Sequence, residues 1–259
     1  MIIINTQFIL ALTMGISIGG LAGYIGSLMV TKRMALMGGA LGHLALPGIA
    51  LALYYNFDIS LGALLFLVFG IIIIWGIGQI TKLPTEAITA IVFPAAMSTT
   101  FLFLPRGKTI PALIGDISSI TMQSALITIA TSLIVFIITK IIFSKMILIS
   151  ISEEIAKVEG INIKLYNFIY LACIAITVAL GVRIVGGLMT AALVAIPAST
   201  SKNLTKNLSS YSILSLILGI ISSTIGIILF KYTNIAAGPL IIISSSTMFL
   251  ISLIIKKNK

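Results

Sequence analysis

Acidic side chains are almost missing from this chain. Asp58, Glu86, Asp116, Glu153, Glu154 and Glu159 are the six Asp and Glu among 259 residues, against sixteen Lys and Arg. Cysteine occurs once, at Cys173, and histidine once, at His43. A single cysteine excludes an intramolecular disulfide and a cysteine-based metal cage. A single histidine excludes a His-Glu-x-x-His zinc site, and there is no phosphate-binding Gly-x-x-x-x-Gly-Lys loop, so the chain cannot hydrolyse a nucleotide by itself. Charged residues make up 8% of the chain, where soluble domains carry about 25%.

Apolar residues fill the space instead. They make up 59% of the chain, in runs near the roughly 20 residues that cross a hydrocarbon layer of about 30 Å. The short alternating segments of a transmembrane barrel are absent. The sequence predicts an all-α, polytopic transmembrane helix bundle forming one domain over 1–259. Nine spans are expected, at 7–30, 34–54, 60–80, 87–104, 122–143, 167–182, 184–199, 211–230 and 239–255. The run from Phe8 to Val30 has no basic segment before it and is followed by Lys32-Arg33, so it reads as a first span rather than a cleavable signal.

Sidedness follows from the basic residues. With the N-terminus outside and the C-terminus cytoplasmic, the inner side receives Lys32, Arg33, Lys82, Lys140, Lys145, Lys157, Lys164, Lys202, Lys206, Lys256, Lys257 and Lys259. The outer side receives Arg106, Lys108, Arg183 and Lys231. Joining 167–199 into one bent span would leave eight spans and erase this bias. The excess of positive charge therefore orients the chain in a bilayer and is not a nucleic-acid surface.

The stretch from Arg33 to Tyr54 concentrates unusual features. His43 lies near its middle, Gly38 and Gly42 give a small-xxx-small face, and Pro47-Gly48 loosens the helix just beyond. An ionisable ring inside a span marks a pathway or a buried partner; here the partner would be a carbonyl freed by Pro47. Gly15, Gly19 and Gly23 form a flat packing face on the first span. Asp58 is expected to be solvated, Trp75 and the neighbouring isoleucines to face lipid, Phe93-Pro94 to kink the fourth span, and Asp116 to cap a helix.

The longest inner loop, 144–166, contains Ser152-Glu153-Glu154-Ile155-Ala156-Lys157-Val158-Glu159-Gly160. Ser152 suits an N-cap, the acids suit the first turn, Gly160 suits the end, and Glu153 and Lys157 have the spacing of an ion pair. Two turns do not hold in water alone, so this helix needs a surface, either its own bundle or a cytosolic partner. No acid falls inside a span. An ion-coupled carrier ordinarily needs such a group at mid-depth, so the bundle reads as a passive pore moved by another subunit.

Met34-Ala-Leu-Met-Gly-Gly-Ala-Leu-Gly-His-Leu-Ala-Leu-Pro-Gly48 resembles a stretch in the permeases of bacterial zinc/manganese/iron ABC importers. There an Arg-x-Ala-Leu-x-Gly-Asp-Ala-Leu-Ser-His run leads into Leu-Pro-Gly. Glu154-Ile155-Ala156 through Gly160-Ile161 is similar to that family's ATPase-contacting loop, and Val185-Gly186-Gly187-Leu188 through Ile196-Pro197-Ala198 to its other signature. Leu113-Ile114-Gly115-Asp116 and Gly238-Pro239 also fall where the family has comparable features.

The resemblance implies a homodimeric permease in the bacterial cytoplasmic (inner) membrane. A cytosolic ATPase would use ATP, an extracytoplasmic metal-binding protein would deliver Zn²⁺, Mn²⁺ or Fe²⁺, and no cofactor would be held permanently. The chain would not itself be an enzyme. It implies that His43, Pro47 and Gly39 line the metal pathway. Glu153, Glu154, Ala156, Lys157 and Gly160 would couple to the ATPase, and Gly38, Gly42, Gly48, Gly186, Gly187 and Pro197 would pack the helices. Gly39 stands where the family has its Asp, and Gly42 stands where it has Ser. Two other readings stay open: an ABC permease for an iron chelate or other small solute, and a self-sufficient secondary carrier.

Overall fold

In the computed structural model the described residues are 6–35, 37–55, 57–81, 83–103, 120–187, 189–233 and 235–257, with the side chains of 53, 99–103 and 257 left aside. Asp116, with the Leu113–Asp116 segment, Arg106, Lys108, Lys82, Leu188 and Lys259, lies outside them. Eleven helices follow one another in the described residues: α1 (Thr6–Thr31), α2 (Met37–Leu44), α3 (Leu46–Tyr55), α4 (Ile59–Ile80), α5 (Thr85–Phe103), α6 (Met122–Ile151), α7 (Glu153–Val158), α8 (Ile163–Val185), α9 (Thr190–Leu204), α10 (Leu208–Thr233) and α11 (Ala237–Lys257).

Six of them, α1, α4, α6, α8, α10 and α11, are long and apolar enough to cross a membrane. Three expected spans are not among these six: 34–54, 184–199 and 87–104, the last of which gives the shorter apolar stretch Thr85–Ser98 of α5. The 34–54 run is broken at Ala45 into α2 and α3. The 184–199 run is displaced: α8 continues through Arg183 to Val185, and α9 begins only at Thr190. With 15 residues, α9 extends roughly 22 Å, short of the hydrocarbon thickness. Finally, α6 runs on to Ile151, about 45 Å in all, longer than a hydrocarbon layer of about 30 Å.

α8 and α1 form the centre, with 72% and 61% of their most apolar windows buried, whereas α6 buries 28% and turns the rest outward. Leu133, Ile134, Ile137 and Ile141 are exposed on that outward face, as suits a lipid solvent rather than water. The isoleucines of α4 divide: Ile72 is exposed, but Ile71 and Ile74 are buried. Trp75 packs edge-on against Phe168 at 5.5 Å rather than facing lipid alone.

The glycine face of α1 is used as expected. A side chain at Gly19 would meet Ser223 and the Gly219 carbonyl of α10, and one at Gly23 would meet the Ser215 carbonyl. Ser215 Oγ donates to the Gly23 carbonyl across this seam. Where lipid tails are as apolar as the helices, such close packing and polar bridging supply the adhesion.

The bundle has two polar ends. At one, Lys32 Nζ donates to Asn167 Oδ1 at 3.0 Å, Lys145 Nζ to the Tyr166 hydroxyl at 2.6 Å, and Lys256 Nζ to Asn203 Oδ1 at 3.2 Å. At the other, Lys231 Nζ stands 4.5 Å above the Phe8 ring and Arg183 pairs with Asp58 at 2.6 Å. Asp58 is therefore not merely solvated. One carboxylate oxygen accepts from Leu61 N and caps α4, while the other holds the guanidinium that closes α8.

Candidate functional site

His43 occupies the last turn of α2, and Pro47 the first turn of α3. Proline has no N–H, so the His43 carbonyl, four residues back, loses its usual helical donor. First-turn placement makes this tolerable, because N–H groups there have no helical partner anyway. The chain stays nearly continuous through Ala45, which donates to Leu41 and accepts from Ile49.

The imidazole lies nearly parallel to the Phe93 ring of α5, 22° apart with centroids at 5.7 Å. Its Nδ1 is buried and has no hydrogen-bond partner. The alternative of a histidine satisfied by a freed carbonyl is therefore not what forms. A buried ring nitrogen without a partner costs free energy, of order 1–3 kcal/mol. Phe93, on the turn just before Pro94, was the residue missed as a site component; the adjacent internal proline was its sequence signal.

The glycines of α2 exist because α9 comes close. A side chain on Gly42 would strike the Gly187 carbonyl and Thr190 Oγ1. One on Gly38 would come within 3.3 Å of Ala191 Cα, and one on Gly39 within 3.2 Å of Ala191 Cβ alone. Thr190 Oγ1 in turn donates to the Gly187 carbonyl at 3.0 Å. Gly186, at φ +84°, turns the chain out of α8. Gly48 faces the Gly62 carbonyl of α4, and Pro197 is buried within α9. The 34–48 and 185–198 segments thus meet beside His43, although the sequence gives no sign of that pairing.

Glu153, Glu154, Ala156, Lys157 and Gly160 lie apart, on and after α7. Ser152 Oγ accepts from Ile155 N, and Ala156 is fully buried against the bundle. Gly160 at φ +72° ends the helix, with Gly160 N donating to Lys157 O and Ile161 N to Ala156 O. That bond pair is a Schellman ending, which needs a left-handed residue at this position. Glu153, Glu154 and Lys157 are exposed. The expected Glu153–Lys157 ion pair is not formed. Arg183–Asp58 is the ion pair among the described residues, and Glu153 instead acts electrostatically on Lys32.

Among the described residues no group of three or more His, Cys, Asp or Glu converges on a point. What the break between α2 and α3 presents in one copy is a single imidazole with an unpartnered Nδ1 beside the Phe93 ring.

The profile of the ABC 3 transport family matches residues 5–256. The manganese import system permease protein ScaB of Streptococcus pneumoniae is 30% identical over 265 residues, covering 96% of this chain and 92% of that protein. The high-affinity zinc uptake system membrane protein ZnuB of Haemophilus influenzae is 30% identical over 250 residues, covering 94% and 95%. Among solved structures, PsaBC from Streptococcus pneumoniae in complex with Fab superposes with a TM-score of 0.83 at 25% identity, covering 96% of this chain and 91% of that one. Matched over residues 5–256 and along nearly the full length of these relatives, the chain belongs to the ABC 3 transport family and is a multi-pass membrane permease subunit of an ABC transporter, a transporter component rather than an enzyme.

Proposed function

We propose that this permease carries Mn²⁺ or Zn²⁺ inward through a homodimer, driven by a cytosolic ATPase that docks on α7 and supplied by an extracytoplasmic metal-binding protein. The N-terminus lies outside and the C-terminus in the cytoplasm, which puts the Lys32, Lys145 and Lys256 end of the bundle on the cytosolic side with α7. Its relatives' cargoes, manganese for ScaB and zinc for ZnuB, support the choice of metal. The observation that carries the pathway is the partnerless Nδ1 of His43 at the break between α2 and α3. Two such rings, one from each copy, give a weak borderline-nitrogen way-station of the kind that suits Zn²⁺ and tolerates Mn²⁺. Weakness suits a conduit: the ion must leave as readily as it enters.

Gly39 supports a second reading, in which the cargo is an iron chelate or other small solute. A cargo whose metal is already coordinated needs no carboxylate at position 39. Vesicle uptake with the ATPase and binding protein present separates the two. His43→Ala lowers Mn²⁺ or Zn²⁺ uptake at least about tenfold, the loss expected of one good charge-dipole contact. Gly39→Asp strengthens metal retention, because a carboxylate one helical turn before His43 shares its face and adds an anionic ligand. Metal uptake indifferent to both changes, with chelate uptake sensitive to them, would select the second reading.

A further inference from the structure

Lys32 is the last residue of the α1 ending and the first step of the elbow that leads into α2. The elbow is a Schellman turn: Arg33 N donates to Val30 O at 3.2 Å and Met34 N to Met29 O at 2.8 Å. Its left-handed position is filled by Arg33, at φ +58°, where the α7 ending uses Gly160. An L residue with a Cβ is costly in that conformation, so the elbow needs outside help to hold its shape. The help comes from α8. Lys32 Nζ donates to Asn167 Oδ1 at 3.0 Å and stands 5.4 Å from the centre of the Tyr170 ring, in the second and third turns of α8. The other end of the same segment is α7, joined to α8 through Gly160 and the Asn162 cap, whose Oδ1 accepts from Leu165 N.

We propose that Lys32 is a positioning residue for transport: through its bond to Asn167, movement of the α7–α8 corner is passed to the α1–α2 elbow and so to the helix bearing His43. The inference rests on α7 being the ATPase-docking handle. The chain of contacts is short and directional. Ala156 seats α7 on the bundle, Ile161 and the α8 cap Asn162 join the Gly160 ending of α7 directly to α8, Asn167 holds Lys32, and Lys32 leads the elbow. Glu153 on α7 adds a favourable charge toward the same ammonium. A lysine partly removed from water, with one amide oxygen and one ring face as neighbours, is a poor choice for stability alone. It is a good one for a link that must be strong yet reversible, since a charge-assisted bond holds without locking.

The test uses the full importer in proteoliposomes, with Mn²⁺ as the transported probe and ATP hydrolysis read alongside. Lys32→Met keeps the ATPase bound and its hydrolysis within about twofold of wild type, while Mn²⁺ moved per ATP falls about tenfold, as losing one charge-assisted bond would produce. Lys32→Arg, which also donates to Asn167, restores the ratio. Asn167→Leu gives the same fall as Lys32→Met, and the double variant falls no further, the mark of two residues acting through one bond. An unchanged Mn²⁺-to-ATP ratio in Lys32→Met, or additive losses in the double variant, would overturn the link. Should Lys32→Met fail to assemble, Asn167→Leu reads the same bond from the other side. Co-purification of the ATPase with Glu154→Lys reports on the handle separately: undiminished binding there removes the docking assignment without touching the Lys32–Asn167 result.

Discussion

A methyl group at position 42 has nowhere to go, because the Gly187 carbonyl and the Thr190 hydroxyl already occupy its place. Gly39, three residues earlier, faces only the Ala191 methyl at 3.2 Å, a contact that asks for a shift of a few tenths of an ångström rather than the displacement of a carbonyl. Gly42→Ala is therefore expected to destabilise the protein by about 1–3 kcal/mol, the usual cost of overpacking. Gly39→Ala should change stability little. Thermal unfolding in detergent compares the two, and equal midpoints would show that α2 and α9 are not so tightly apposed. Lys32 makes a different residue-scale prediction. Burial pushes its ammonium down to about 8 from an ordinary 10.5, with the Glu153 charge opposing the shift. Between those values the unfolded chain keeps a proton that the folded chain has released, so stability rises with pH across that window and is level below it. Subtracting the unfolding profile of Lys32→Met from that of wild type isolates this rise; a flat difference would mean the ammonium is well solvated.

At the scale of single helices, α7 is the informative case. Its six residues are too few to hold in isolation. What holds it is written locally: Ser152 at the start, Gly160 at the end, and one small apolar contact at Ala156. Ser152→Ala removes the cap and costs about 1 kcal/mol. Gly160→Ala keeps the turn but forces a left-handed alanine, at about 1 kcal/mol. Each change is expected to speed amide exchange within 153–158 several-fold while α8 stays protected, and equal protection in α7 would show that docking alone maintains it. The capping of α7 was readable from the sequence because caps are contacts between residues three or four apart. The broken second span was half readable. Pro47 announced a weakness, yet the break falls at Ala45, since a proline in a first turn starts a helix more easily than it ends one.

For the whole molecule, the Asp58–Arg183 pair joins two helices at one end of the bundle. Arg183 is 12% exposed at its side chain and Asp58 46%, so the two partners contribute unequally. Removing the carboxylate leaves a largely buried guanidinium, whose Nε already lacks a partner. Asp58→Ala is expected to cost about 1–3 kcal/mol, below the loss typical of a fully buried pair because half of Asp58 faces water. Adding Arg183→Met should recover much of that loss, as thermal unfolding of the single and double variants would reveal. A double variant no more stable than Asp58→Ala would assign the cost to the lost α4 cap instead.

By itself the sequence determined the membrane class, the need for an outside source of energy, the unusual histidine beside a proline, and a short capped helix in a basic loop. These follow from composition and from spacings within a helical turn, where chemistry and position are written together. Tertiary structure alone decided which distant stretches meet. Gly42 against Gly187, Asp58 with Arg183 and Lys32 with Asn167 each join residues 125 or more apart. Such contacts arise because small residues let particular helices approach and because an isolated charge near an apolar layer is pulled to the nearest partner, and neither force leaves a periodic mark along the chain.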